Sequence, residues 1–201
     1  MKVSKQKVAE HREQIITAAA KRFREKGFDG ISVADLMKEA GLTHGGFYGH
    51  FSSKEELMGL ASQQALRETA QKWEKVIREA PNKALEALAK FYLSAKHQAH
   101  PETGCLFATL GSDLARQPSS VKEAMMGEQL AALDVISRVV PGRTKAARRK
   151  QAISVLAGFI GGMVLARSVS DAALSEEILK TVSASIANSV HADASQHRIG
   201  K

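Results

Sequence analysis

The chain has 201 residues, 44% hydrophobic and 25% charged, with one cysteine and a net charge of +8. These figures fit an ordinary soluble protein of one or two domains with a sizeable core, and one cysteine excludes an intramolecular disulfide. The longest uncharged apolar run, residues 152–166, is shorter than the roughly 20 residues a membrane helix needs, so no membrane is expected as a partner. The lone thiol and the lack of an apolar N-terminal segment point to a reducing, cytoplasmic setting.

Nearly every segment reads as helix. Ile15, Ala19 and Phe23 repeat at helical spacing, and Gly27 stops that helix. Residues 1–26 carry eight Lys/Arg against three acids, which suits a polyanionic partner but also a plain solvated surface. Ser32 caps a short helix over Val33–Ala40, with Asp35 at the capping-box position and Gly41 as its end. Thr43 caps a third helix of about two turns, ending near Phe51. Ser53 and Glu56 form another capping box, opening a helix that runs from Lys54 towards Ala80, where Pro81 blocks it. Further amphipathic helices follow over Lys83 to His97, Cys105 to Arg116, Ser120 to Val139, Lys145 to Val169 and Glu176 to Val190. The basic cluster of Arg143, Lys145, Arg148, Arg149 and Lys150 is a solvated first turn. The expected fold is all-α with about nine helices, divided into residues 1–53, residues 54–190 and a flexible tail, 191–201.

Two short helices joined by a glycine-containing turn of three residues make a helix-turn-helix, whose second helix lies in the major groove of duplex DNA. That second helix, His44-Gly45-Gly46-Phe47-Tyr48-Gly49-His50, holds three glycines, each costing a helix interior about 1 kcal/mol against alanine. Glycine removes the side chain that holds a backbone away from a surface. Val33, Leu36, Met37, Leu42, Phe47 and Phe51 form the small core, leaving Thr43, His44, Gly45, Gly46, Tyr48, Gly49 and His50 outward. Thr43, Tyr48 and His50 can donate to phosphate oxygens, and Lys54 adds a charge at the start of the next helix. The bare pattern also occurs in helical proteins that never meet DNA, with Gly45-Gly46 as a loop and Tyr48 as a core aromatic.

The run Ile31–Leu57, and above all Phe47-Tyr48-Gly49-His50-Phe51-Ser52-Ser53-Lys54, resembles the DNA-binding domain of the TetR/AcrR family of transcriptional regulators over roughly residues 10–60. This resemblance implies a homodimeric repressor on double-stranded DNA at a palindromic operator, released by a small-molecule inducer. It implies that Ser32, Thr43, Tyr48, His50 and Lys54 hold the phosphate backbone, that Thr43, His44 and Gly45 meet base edges, and that Gly46 lies in the same variable stretch. Gly49 departs from the bulkier residue often found there. Beyond residue 60 the likeness is architectural: a larger helical domain for ligand binding and dimerisation.

In that domain, residues 152–166 are apolar on nearly all sides of a helix, and Gly158, Gly161 and Gly162 allow a close crossing. Either the same subunit or a two-fold partner supplies the neighbours. Leu156, Ile160 and Val164, with Ile178, Val182 and Ile186 of the last helix, are the candidate dimer interface. Cys105 is either a small buried hydrophobe or a thiol activated in the first turn of a helix, and thus a candidate sensor. Trp73, Tyr92 and Phe107, with Met125 and Met126, are candidates for a surrounding cavity, although aromatics at helical spacing are usually core. His97, His100 and Cys105 match no zinc spacing, so no metal and no cofactor is expected. Two other classes compete with the regulator: a small helical enzyme with Cys105 as nucleophile, which lacks a recognisable base, and a helical protein-interaction module.

Overall fold

The computed structural model describes residues 4–195, with side chains through residue 188. Among them it has nine α-helices, three short 3-10 helices and no strand. The α-helices are α1 (Lys5–Lys26), α2 (Val33–Glu39), α3 (Lys54–Glu79), α4 (Ala84–Tyr92), α5 (Ala95–Ala99), α6 (Leu106–Arg116), α7 (Ser119–Ser137), α8 (Lys145–Ser168) and α9 (Ala172–Ser195). The 3-10 helices are His44–Gly49, Pro81–Lys83 and Pro101–Thr103.

Two compact units share these elements. The first holds the chain up to Glu68 together with Pro101–Glu128; the second holds Thr69–His100 and the chain from Gln129 onward. The expected helix-turn-helix of residues 1–53 lies inside the first unit, which also takes in α6 and the start of α7.

The first unit is organised by the apolar stripe of α1. Ile15, Ala19 and Phe23 are buried with Leu36 and Met37 of α2, Phe47, Phe51, Leu57 and Leu66, and with Leu106, Leu110 and Leu114 of α6. Each of the larger apolar side chains among them contributes about 1.5–3 kcal/mol on burial. In the second unit the core is aromatic at its centre. Tyr92 stacks on Phe159 with ring centroids 4.7 Å apart, and Trp73 and His97 close on it at 6.0 and 4.6 Å.

Three local expectations need correction. The helix foreseen over Lys83–His97 is broken: Ser94 caps α5 by accepting from the His97 amide at 3.2 Å, while its hydroxyl donates to the Phe91 carbonyl at 2.9 Å. The last helix starts at Ala172, earlier than Glu176, because the Asp171 carboxylate accepts from the Leu174 amide at 2.9 Å. It also runs to Ser195, so residues 191–195 of the expected tail are helical, and residues 196–201 lie outside the described residues.

Helix α8 is 24 residues long with a mean hydropathy of 1.4 over its apolar window, long and apolar enough on those measures to cross a membrane. Reading residues 152–166 alone missed this. Its inward face is used within the protein instead, with Ala152, Val155, Phe159 and Met163 buried. The glycines divide accordingly. A Cβ on Gly162 would meet Leu93 and Val182 at 3.1 Å, and one on Gly158 would meet Ile186 at 3.2 Å, whereas one on Gly161 meets nothing within 4 Å. Two of the three glycines therefore admit α9 of the same subunit.

Candidate nucleic-acid interface

The turn between the two short helices is built by its backbone. Ser32 accepts from the Asp35 amide at 3.1 Å, and its hydroxyl donates to the Asp35 carboxylate at 2.6 Å, which holds that carboxyl below its ordinary range. At the other end of α2, Gly41 has φ of +72°. Its amide reaches the Lys38 carbonyl at 3.1 Å, and the Leu42 amide reaches Met37 at 2.8 Å. This paired bonding ends a helix on a left-handed residue, which glycine adopts without a steric cost. Arg22 of α1 ties α2 in place by bonding Glu39, and bonds Glu25 at 2.5 Å.

The segment after the turn is not the α-helix foreseen. His44–Gly49 is a 3-10 helix, with the Gly46 amide on the Thr43 carbonyl at 3.0 Å and no side-chain cap from Thr43. Three glycines in six residues weaken the α form, and a tighter winding suits so short a piece. Phe47 turns inward and is 1% exposed, while its neighbour Tyr48 is 71% exposed.

The glycines here have no internal explanation. None of Gly45, Gly46 and Gly49 has a positive φ. A Cβ on Gly45 or Gly49 would meet nothing within 4 Å, and one on Gly46 would make only ordinary contacts with Met37 and Thr43. Neither conformation nor packing in the protein demands glycine at 45 and 49.

Around this bare backbone stand the other candidates. Ser32, Thr43 and His44 are exposed. His50 is half-buried, and its ring meets that of His11 edge-on, centroids 6.2 Å apart. Burial first, then the neighbouring His11 and Arg12, hold the proton affinity of His50 below the ordinary histidine range. Lys54 is half-buried at the start of α3, where its Nζ donates to the Ile31 carbonyl at 3.0 Å. An ammonium has three donors, so this bond anchors the side chain and leaves others for a phosphate. Glu56 accepts from the Ser52 amide and hydroxyl at 2.8 and 2.7 Å and from Arg12 at 3.3 Å. Arg12 in turn lies over the Phe51 ring, 5.1 Å from its centroid. The structure thus sets Arg12, already counted in the basic N-terminal run, against Phe51 and Glu56, and adds His11, which nothing in its own stretch of sequence marked.

The sensor candidates fall in both units. Cys105 and Phe107 lie in the first unit, Trp73 and Tyr92 in the second. Trp73 and Tyr92 are 2% and 1% exposed and belong to the aromatic core already described. Cys105 is the residue before α6, not in its first turn, and is 2% exposed. A catalytic nucleophile needs access that so buried a thiol lacks. A cleft of about 710 Å³ in the first unit is bounded by Arg24, Glu68 and Glu102 among others, and none of the four sensor candidates lines it. Arg24, 5% exposed, donates to the carbonyls of Ala20 and Gly104 at 2.8 and 3.0 Å and pairs with Glu68 at 3.4 Å. Among the described residues no group of His, Cys, Asp and Glu is placed to hold a metal. His97 bonds the Tyr92 carbonyl at 2.7 Å.

On the outer face of α8, Ile153 and Val164 are 50% and 45% exposed, and Leu156 and Ile160 are half-buried. The α9 candidates face inward by contrast: Val182 packs on Gly162, and Ile186, 8% exposed, on Gly158; Ile178 is half-buried.

Residues 15–60 match the family model described as bacterial regulatory proteins, tetR family. Over these residues the chain is similar to the tetR family. Over 57 residues it is 40% identical to the uncharacterised HTH-type transcriptional regulator YvdT of Bacillus subtilis, 28% of this chain and 29% of that protein. Over 55 residues it is 40% identical to the HTH-type transcriptional regulator TtgR of Pseudomonas putida, 27% and 26% of the two chains. The chain thus aligns with under a third of the length of these curated relatives. The whole fold is shared more widely. The reduced form of E. coli NemR superposes with a TM-score of 0.73 at 19% identity, covering 90% of this chain and 98% of that one. A TetR-family regulator from Agrobacterium tumefaciens does so at 0.71 and 20%, covering 89% and 98%.

Proposed function

We propose that this chain is a cytoplasmic, homodimeric transcriptional repressor of the tetR family that binds a palindromic operator in duplex DNA and leaves it when a small molecule binds. The observation that carries the reading is the pair Gly45 and Gly49, which face open space at ordinary φ beside the exposed ring of Tyr48. A sequence that weakens a helix for no internal gain fits a backbone approached closely from outside. Ser32, Thr43, Tyr48, His50 and Lys54 hold phosphates, and His44 with Gly45 and Gly46 meets the base edges. The outer face of α8, led by Leu156, Ile160 and Val164, is the dimer surface, and it sets two recognition segments about one helical turn, or a multiple of it, apart.

Purified protein offered random duplex DNA should enrich an inverted repeat. Enrichment of no sequence over the input pool would overturn the reading. Lys54→Ala should lower the slope of log affinity against log salt by about one unit, and His44→Ala should change the preferred bases instead. The inducer acts only by favouring the DNA-free state, since equal affinity for both states shifts nothing. A thiol-reactive inducer is the specific form of this idea; it requires Cys105, 2% exposed in this structure, to become accessible first. Retention of electrophile-induced release in Cys105→Ser would remove the thiol from the mechanism.

A further inference from the structure

The pairing of His11 with His50 is not explained by the fold. The two rings come from different elements, α1 and the residue closing the 3-10 segment, and meet edge-on with centroids 6.2 Å apart. The Nδ1 of His50 is buried with no hydrogen-bond partner, which an interior polar atom seldom tolerates without a reason. The charged groups around it are mostly of one sign. From α1 come His11 and Arg12; from α3 comes Glu56, whose carboxylate is already bonded by Arg12 and by the amide and hydroxyl of Ser52. Two imidazoles and a permanent cation therefore meet beside a recognition segment whose backbone is bare, and the carboxylate that pairs with that cation is already committed.

We propose that His11 acts with His50 as a two-imidazole seat for one DNA backbone phosphate, the pair taking up a proton as the duplex docks. This rests on the DNA-binding reading above and adds to it a contact from α1 and a direction for the pH dependence. Without DNA, a proton on His50 meets the cost of burial and the repulsion of His11 and Arg12. A phosphate placed against the pair supplies the missing counter-charge. The complex then holds more protons than the separate partners, so affinity rises as pH falls. No covalent step is involved; the proton comes from solvent.

The test is equilibrium binding of the full chain to a labelled 30-base-pair duplex of arbitrary sequence, from about pH 8 to pH 6 at constant ionic strength. Wild type should tighten by about three- to tenfold over that range, the uptake of at most one proton. His11→Gln should lose most of the gain, staying near wild type at pH 8 and falling behind at pH 6. His11→Arg, which keeps a positive charge at every pH, should bind tightly with a flattened profile. Lys54→Ala should weaken binding at each pH without changing the slope. His44→Gln removes the exposed imidazole of the recognition segment and should leave the His11-dependent part intact. Duplex binding with a flat profile, or a full pH response retained in His11→Gln, would overturn the paired seat while sparing the DNA reading. No duplex binding at any pH would overturn both.

Discussion

Two sets of glycines in this molecule look alike in sequence and have opposite accounts. In α8, a Cβ on Gly158 or Gly162 would press within 3.1–3.2 Å of α9 or of Leu93, just past α4. In the recognition segment, Gly45 and Gly49 sit against open space. The first pair is explained by what the protein packs there; the second finds no explanation inside the protein. Interior glycines cost a helix about the same wherever they occur, so a glycine whose cost brings no internal return directs attention outward.

The comparison can be broken at either end. The largest effect is expected from Gly45→Leu, which should weaken duplex binding roughly hundredfold, about 2.7 kcal/mol, while leaving urea unfolding unchanged. If binding survived intact, the close approach would be wrong. Gly162→Val should do the reverse within one subunit, lowering stability by about 1–3 kcal/mol through overpacking against Leu93 and Val182, read as a lower melting temperature. Gly161→Ala is the control: with open space at its Cβ position, it should leave stability unchanged or raise it by up to about 1 kcal/mol.

A further expectation separates the second unit from the first. Burial, with Arg167 and Lys72 nearby, lowers the His97 pKa to about 4, against the partial support of its bond to the Tyr92 carbonyl. Between pH 6.5 and 4 the unfolded chain therefore binds a proton that the native chain refuses. Stability is fully present above pH 6.5 and is lost as pH falls towards 4, by an amount on the order of 3 kcal/mol. His97→Gln should flatten the fall, and an unchanged acid limb would assign it to other groups.

Much of this was legible in the sequence, for reasons that differ by element. Ser32, Asp35 and Gly41 announced α2 because caps and helix stops are local chemistry. The stripe Ile15, Ala19, Phe23 announced the buried face of α1 because a helix repeats its environment every turn. The 3-10 winding of His44–Gly49 was not legible, since the choice between two helical forms depends on packing beneath Phe47. Nor was the break at Ser94, which a capping hydroxyl decides inside an otherwise continuous helical pattern. Among site residues, Tyr48 and His50 stood out by motif, whereas His11 lies 39 positions from its ring partner and carried no local sign. The glycines of α8 suggested a close crossing correctly but left its partner open, because sequence does not say which chain supplies the neighbour.

The guanidinium of Arg24 carries one more implication. It is held in a dry place by the carbonyls of Ala20 and Gly104 and by Glu68, so it fastens three distant stretches of chain at a single point. Drawing the turn before Cys105 away from α1 would take the Gly104 carbonyl from this buried guanidinium and leave it one acceptor short, a loss of about 1–3 kcal/mol. That turn and the first helix are in effect one rivet and its plate: neither shifts alone, and whatever moves the one has already moved the other.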